Sequence, residues 1–218
     1  EITAHFEAVA AQAQHAKPLL LNAVSATASR PVSNPANLSD VVGSVTEADA
    51  QDVQHALQAA AEHAPEWAAV APAQRAAALF AAADRMEERM LDFMALAVRE
   101  AGKSLPNAIA EVREAIDFLR YYAAQVEHQA PVQPLGPVVC ISPWNFPLAI
   151  FIGEVSAALA AGNVVLAKPA EQTPLIAFRA VELMHEAGIP RAALQFLPGT
   201  GEVVGAQLVA DSRVRGVI

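Results

Sequence analysis

The sequence has one cysteine, Cys140, in 218 residues. A single thiol excludes an internal disulfide framework and fits a reducing compartment, so a cytoplasmic location is expected. Basic residues are also scarce: 14 Lys and Arg stand against 23 Asp and Glu, a net charge of −9. That balance argues against nucleic acid as a partner, because a phosphate backbone calls for a cationic surface. No apolar run reaches the roughly 18 residues of a membrane span. The most apolar stretch, Leu148 to Ala161, carries Glu154 in its middle. No basic segment followed by an apolar one opens the chain, and no secretory signal is expected. Six histidines, at positions 5, 15, 55, 63, 128 and 185, give no zinc-ligand spacing, and no metal site is expected.

What is present is apolar. At 54% hydrophobic and 17% charged, the chain is a globular sequence, long enough to bury a sizeable core. It opens on Glu1 rather than Met. Val214, Val217 and Ile218 read as the start of a buried strand, whose open edge would leave backbone groups unpaired. A fragment of a longer chain is therefore expected.

Three sections follow from the pattern. Residues 1–31 read as a tail or linker broken by Pro18 and Pro31, although the first 17 are alanine-rich enough for a helix. Residues 32–130 read as helical, with Asp40 to Val45 as a short strand candidate and Asn34-Pro35 as a turn. Thr46, with Asp49 three residues on, resembles a capping box for a helix running to about His63. Pro72 suits the start of a second helix, which breaks and continues to Gly102. A third starts at Pro106, with Ile109, Val112, Ile116, Leu119, Ala123 and Val126 as one apolar stripe. In residues 131–218, Val138 to Ile141 and Asn163 to Ala167 are continuous apolar runs, the mark of strands covered on both faces. Helices over Leu148–Ala161, Pro174–Ala187 and Gly201–Val209 alternate with these runs, with Gln195–Leu197 and with Val214–Ile218. The expected fold is α/β: a Rossmann-like parallel sheet with flanking helices, preceded by an all-helical section. Ligands in such sheets bind beyond the carboxyl ends of the strands.

Three loops fall at those ends. In Ser142-Pro143-Trp144-Asn145-Phe146-Pro147, two prolines stiffen the backbone around Asn145. The Asn145 amide either donates to a developing oxyanion or bonds its own turn, and composition alone favours the turn. In Lys168-Pro169-Ala170-Glu171-Gln172-Thr173-Pro174, Lys168 and Glu171 either grip a ribose from both sides or form a solvated ion pair. Gly199-Thr200-Gly201-Glu202-Val203-Val204-Gly205 lets a backbone approach a pyrophosphate, but a tight strand-to-helix turn explains it equally well.

Together these loops, with Gly162-Asn163 and Pro198-Gly199-Thr200-Gly201, resemble the NAD-binding domain of the aldehyde dehydrogenase superfamily from about Val32 to Ile218. Gly136 to Ser142, Ala157 to Asn163 and Arg213 to Val217 are similar to the glutamate γ-semialdehyde (pyrroline-5-carboxylate) dehydrogenase modules of the bacterial proline utilization A family. There the module follows a flavin-dependent proline dehydrogenase on one polypeptide. The resemblance implies NAD as cofactor, with FAD confined to that separate module, and oxidation of glutamate γ-semialdehyde to glutamate in proline catabolism. It places Asn145 in the oxyanion hole, and Ser142 and Trp144 on the cofactor, Trp144 at its phosphates. Lys168 and Glu171 fall at the adenosine ribose, and Gly201 and Gly205 beside the adenosine. Phe146 lines the substrate channel, with Glu114 near it. The family's cysteine nucleophile and glutamate base match nothing before Ile218, and Cys140 lies inside a buried strand. The chain alone is expected to be inactive. Its implied partners are a small aldehyde, the remainder of the polypeptide and further copies in a homo-oligomer. The residues also leave open a non-catalytic nucleotide-binding or assembly domain, or a dehydrogenase for another aldehyde.

Overall fold

The computed structural model describes residues 2–22, 28–128 and 132–218. The section boundary expected at 130/131 lies outside the described residues. The chain begins with α1 (Ile2–Ala10), β1 (Gln14–Ala16), β2 (Ser29–Asn34) and β3 (Asn37–Thr46). β1 runs parallel to β3 and β2 antiparallel to it, in the order β1-β3-β2. The segment expected as a tail therefore contributes two strands, and the section after residue 32 is not all-helical. The prolines misled for a physical reason. Pro31 lies on an edge strand, where its missing N–H breaks no sheet interior. Pro35 sits in the hairpin turn, where the Asn34 side chain accepts from the Ala36 N–H at 2.9 Å.

α2 (Ala50–Ala69) starts three residues later than the Thr46 cap implies. Thr46 is instead the last residue of β3, and Asp49 is the cap. The Asp49 carboxylate accepts from the Gln51 and Asp52 N–H groups at 2.8 Å, and Asp52 accepts in return from the Asp49 N–H at 3.2 Å. The helix runs past His63 and through Pro65. Beyond the proline, Trp67 is buried and donates its indole N–H to the Leu159 carbonyl at 3.2 Å, anchoring the last turn. α3 (Pro72–Glu88) and α4 (Met90–Ala101) follow, and Gly102 ends α4 in the left-handed region at φ 65°. α5 (Leu105–His128) buries Val112, Ile116, Leu119 and Ala123. Ile109 is exposed: Ala108 and Ala115 are buried too, so the face is centred away from it.

β4 (Pro137–Ile141), α6 (Ala149–Ala160), β5 (Val164–Lys168), α7 (Pro174–Glu186) and β6 (Leu194–Phe196) alternate next. A five-residue π-helix, Gly201–Gly205, leads into α8 (Ala206–Ala210) and β7 (Gly216–Val217), where a continuous helix to Val209 was expected. The four strands are parallel, in the order β6-β5-β4-β7. α2 and α8 pack on one face, α6 and α7 on the other, with α3 and α5 behind these. The chain steps from β4 out to β6, then returns to the far side of β4. Such a reversal opens a crevice at the carboxyl ends of the strands. Leu19 closes the outer edge of β6, exchanging backbone hydrogen bonds with Phe196 at 3.0 and 3.1 Å. Among the described residues no helix is long and apolar enough to cross a membrane.

Candidate active site

Because the strands are parallel, β4, β5 and β6 deliver their following loops to one end of the sheet. The first loop starts as an extension of the ladder, the Ser142 N–H donating to the Lys168 carbonyl at 3.3 Å. Its tip then turns outward. Trp144 is 58% exposed, and Asn145 and Phe146 are exposed beside it. Among the described residues the Asn145 amide makes no hydrogen bond, so the turn does not consume it. Asn163 serves the other end of the strands: its side-chain oxygen accepts from the Leu135 and Gly136 N–H groups at 2.7 and 3.2 Å, guiding the chain into β4.

The second and third loops meet. The Gly201 N–H donates to a Glu171 carboxylate oxygen at 2.7 Å. Lys168 is buried, its Nζ donates to the Pro169 carbonyl at 3.0 Å, and its stem passes under Gly205. Burial lowers the Lys168 pKa, while Glu171, Glu47 and Glu202 push it back up. Arg30 ties the arrangement to β2: it donates to the Glu171 backbone carbonyl at 2.6 Å and to the Glu47 carboxylate at 2.7 Å. The Thr200 hydroxyl accepts from the Val203 N–H at 3.2 Å and caps the π-helix. π-Helical turns concentrate at functional sites. Two hydroxyls at this end of the sheet, Ser142 Oγ and Thr173 Oγ1, are buried and have no partner among the described residues. Buried orphans of this kind are rare in native proteins.

The structure thus gathers Lys168, Glu171, Gly201 and Gly205, with Ser142 at the adjoining strand end. Trp144, Asn145 and Phe146 project from the neighbouring loop. Glu114 is exposed on α5. Cys140 is fully buried in β4, and burial, with Glu154 nearby, holds its thiol protonated.

Residues 23–218 match the aldehyde dehydrogenase family. The chain belongs to that family. It is 57% identical over 212 residues to the bifunctional protein PutA of Escherichia coli, an alignment covering 96% of this chain and 16% of the relative. It is 43% identical over 197 residues to the 1-pyrroline-5-carboxylate dehydrogenase of Anoxybacillus flavithermus, covering 84% of this chain and 38% of the relative. The fold matches the structure of 1-pyrroline-5-carboxylate dehydrogenase from Thermus with bound NAD at a TM-score of 0.93 and 35% identity, over 99% of this chain and 45% of that one. The chain therefore spans less than half the length of each of these relatives.

Two residues of this aldehyde dehydrogenase chain escaped the sequence reading. Neither α6 nor α7 has a side-chain cap at its own N-cap residue, Leu148 or Thr173. Carboxylates from other helices do that work. Glu111, on α5, accepts from the Leu148 and Ala149 N–H groups at 3.0 and 2.9 Å. Glu100, on α4, accepts from the Leu175 and Ile176 N–H groups at 2.6 and 2.9 Å. Each thus pins the helix that leaves one of the site loops. No local signal marks them, since a lone Glu on a helix reads as a solvated side chain.

Burial pushes the Glu100 carboxyl up to about 8, against the opposing pull of its two backbone hydrogen bonds. The unfolded group titrates near 4.5, so between about 4.5 and 8 folding takes up a proton. Its contribution to stability is complete below that window and is lost as pH rises through it. Glu100→Gln does not titrate. Its stability relative to wild type should therefore improve by about 1 kcal/mol or more from about pH 5 to pH 8. Urea midpoints at both pH values measure this. A constant difference would mean that the folded carboxyl is already ionised at the lower pH.

Proposed function

We propose that this chain supplies part of the NAD site and an oxyanion-binding amide of an aldehyde dehydrogenase that oxidises glutamate γ-semialdehyde to glutamate. It does so as one section of a longer polypeptide. The observation that carries the reading is the 2.7 Å bond from Gly201 N–H to Glu171, which joins two loops at the end of the sheet that also carries the exposed Asn145. The names of the relatives, 1-pyrroline-5-carboxylate dehydrogenase and PutA, support the substrate class.

The residues fit NAD. Lys168 and Glu171 place a donor and an acceptor at one end of the sheet, as a ribose diol requires. A Cβ at Gly201 would meet nothing nearer than the Glu171 carboxylate at 3.7 Å, so the backbone there is open to close approach. The orphan Ser142 hydroxyl and the exposed Trp144 indole offer donors on the side of the phosphates. NAD, when bound, accepts the hydride. Asn145 would hold the aldehyde oxygen as it gains negative charge, Phe146 would border the aldehyde's path, and Glu114 would lie near it. With its buried thiol Cys140 offers no nucleophile, so attack and deprotonation fall to a cysteine and a glutamate elsewhere on the polypeptide. The 218-residue chain alone then oxidises no aldehyde. A homo-oligomeric parent with a flavin-dependent proline dehydrogenase module belongs to the same proposal.

Cofactor choice tests the reading. One Glu171 oxygen is engaged by Gly201, and the other remains to accept from a ribose hydroxyl. A 2′-phosphate would bring a charge of nearly −2 against this carboxylate, with Lys168 offsetting part of it. The full-length protein should prefer NAD by at least about tenfold in kcat/KM, roughly 1.4 kcal/mol, and Glu171→Ser should narrow that ratio. The measurement is kcat/KM for glutamate γ-semialdehyde with each cofactor. Equal use of both cofactors by wild type, or an unchanged ratio in the variant, removes Glu171 from the ribose. No aldehyde-dependent NAD reduction at all would favour a non-catalytic domain.

A further inference from the structure

We propose that Glu111 and Lys103 form a clamp that positions Phe146 and the start of α6, and with them the Asn145 amide, for the aldehyde reaction. The inference rests on the oxyanion reading of Asn145. The clamp joins Lys103, in the α4–α5 connection, to Glu111, in the second turn of α5. The Glu111 side chain is 1% exposed, and one of its oxygens accepts from two successive N–H groups, Leu148 and Ala149. Its other oxygen accepts from Lys103 Nζ at 2.7 Å. The same ammonium stands 4.4 Å from the centroid of the Phe146 ring, within range of a cation–π contact.

Three of the four residues that follow Asn145 are thus held by two side chains from outside the loop. The carboxylate also sits at the start of α6, where its charge is favoured by the helix dipole. With Glu111 buried and the Lys103 side chain 13% exposed, the pair is only partly screened by water, so removing one partner leaves the other charge uncompensated. Asn145 itself stays exposed and makes no hydrogen bond among the described residues. An oxyanion donor must lie within a few tenths of an ångström of its mark, and the prolines of the loop restrict its backbone without fixing it to the sheet. The clamp does the latter. Glu111 and Lys103 are positioning residues: they act through Asn145 and Phe146.

The experiment uses the full-length protein carrying Glu111→Gln, Lys103→Met or Lys103→Arg, each alone and combined with Asn145→Ala. Glu111→Gln and Lys103→Met should each lower kcat by about tenfold to a hundredfold, with the KM for NAD within about twofold of wild type. Lys103→Arg, which keeps the charge and the ring contact, should retain at least about half of kcat. In the Asn145→Ala background the same substitutions should change kcat by less than about twofold, because the amide they position is gone. Hydrogen exchange over residues 144–152 should accelerate in Glu111→Gln while α2 and α3 keep their protection. Equal losses of kcat in both backgrounds would overturn the proposal, as would an unchanged kcat with protection at 148–149 lost. If Glu111→Gln does not fold, the contrast between Lys103→Met and Lys103→Arg carries the test. A wild type without aldehyde activity would instead sink the oxyanion reading, and exchange at 148–149 would still show whether the clamp holds the loop.

Discussion

In the full-length protein, Asn145→Ala should lower kcat by about 10²–10³-fold while NAD affinity stays within about twofold. The amide would act on charge that appears only once the aldehyde carbon is attacked. Its loss therefore raises the barrier, by about 2.7–4 kcal/mol, without weakening the ground-state complex. Most of the proposed cofactor contacts lie on other loops. Asn145 lies on the loop after β4, whereas Glu171 and Gly201 belong to the loops after β5 and β6 and are tied to each other, with Arg30 holding the Glu171 carbonyl. Removing one exposed, unbonded amide disturbs none of those contacts. Steady-state kinetics with glutamate γ-semialdehyde, alongside NAD titration monitored by protein fluorescence, would measure both quantities. A variant with normal kcat but much weaker NAD binding would move Asn145 from the aldehyde oxygen to the cofactor.

Phe196→Ala should cost about 3–5 kcal/mol of folding stability. Phe196 is fully buried in β6, with Phe178 and Phe151 at ring-centroid distances of 5.9 and 6.4 Å, both near edge-to-face. Truncation empties the space where α6, α7 and the sheet meet, and neighbours in regular elements collapse into it only partly. The loss reaches the site as well, because Phe196 leads directly into Pro198-Gly199-Thr200 and its backbone bonds Leu19. The expected result is a fall in the urea midpoint at an unchanged slope. Val209→Ala, at a position half exposed on α8, should stay within about 0.5 kcal/mol of wild type. Equal effects at the two positions would mean that the aromatic cluster contributes little beyond ordinary surface packing.

Local pattern alone determined much of this protein. The apolar runs of β4 and β5, the three-and-four spacing along α5, and Gly102 as a helix end are readable because each is decided within a few residues. The three site loops are readable for the same reason: proline and glycine restrict or free the backbone where they stand, and the residue types they carry resemble one family. The tertiary structure decided the rest. β1 and β2 are strands only because β3 offers an edge on each side, and Pro31 is tolerated because its strand is the outer one. Asp49 displaces Thr46 as a helix cap because β3 runs on through Thr46, one residue past the expected strand, and α2 starts only at Ala50. Arg30, from the segment that reads as a tail, holds the Glu171 loop. Glu111 and Glu100 cap helices by accepting from N–H groups 37 and 75 residues downstream. A helix start needs an acceptor for its free N–H groups, but nothing in covalent structure requires that acceptor to be near in sequence. Whether a glutamate is a solvated side chain or a buried cap depends on which helix packs against it, and only the folded chain supplies that neighbour.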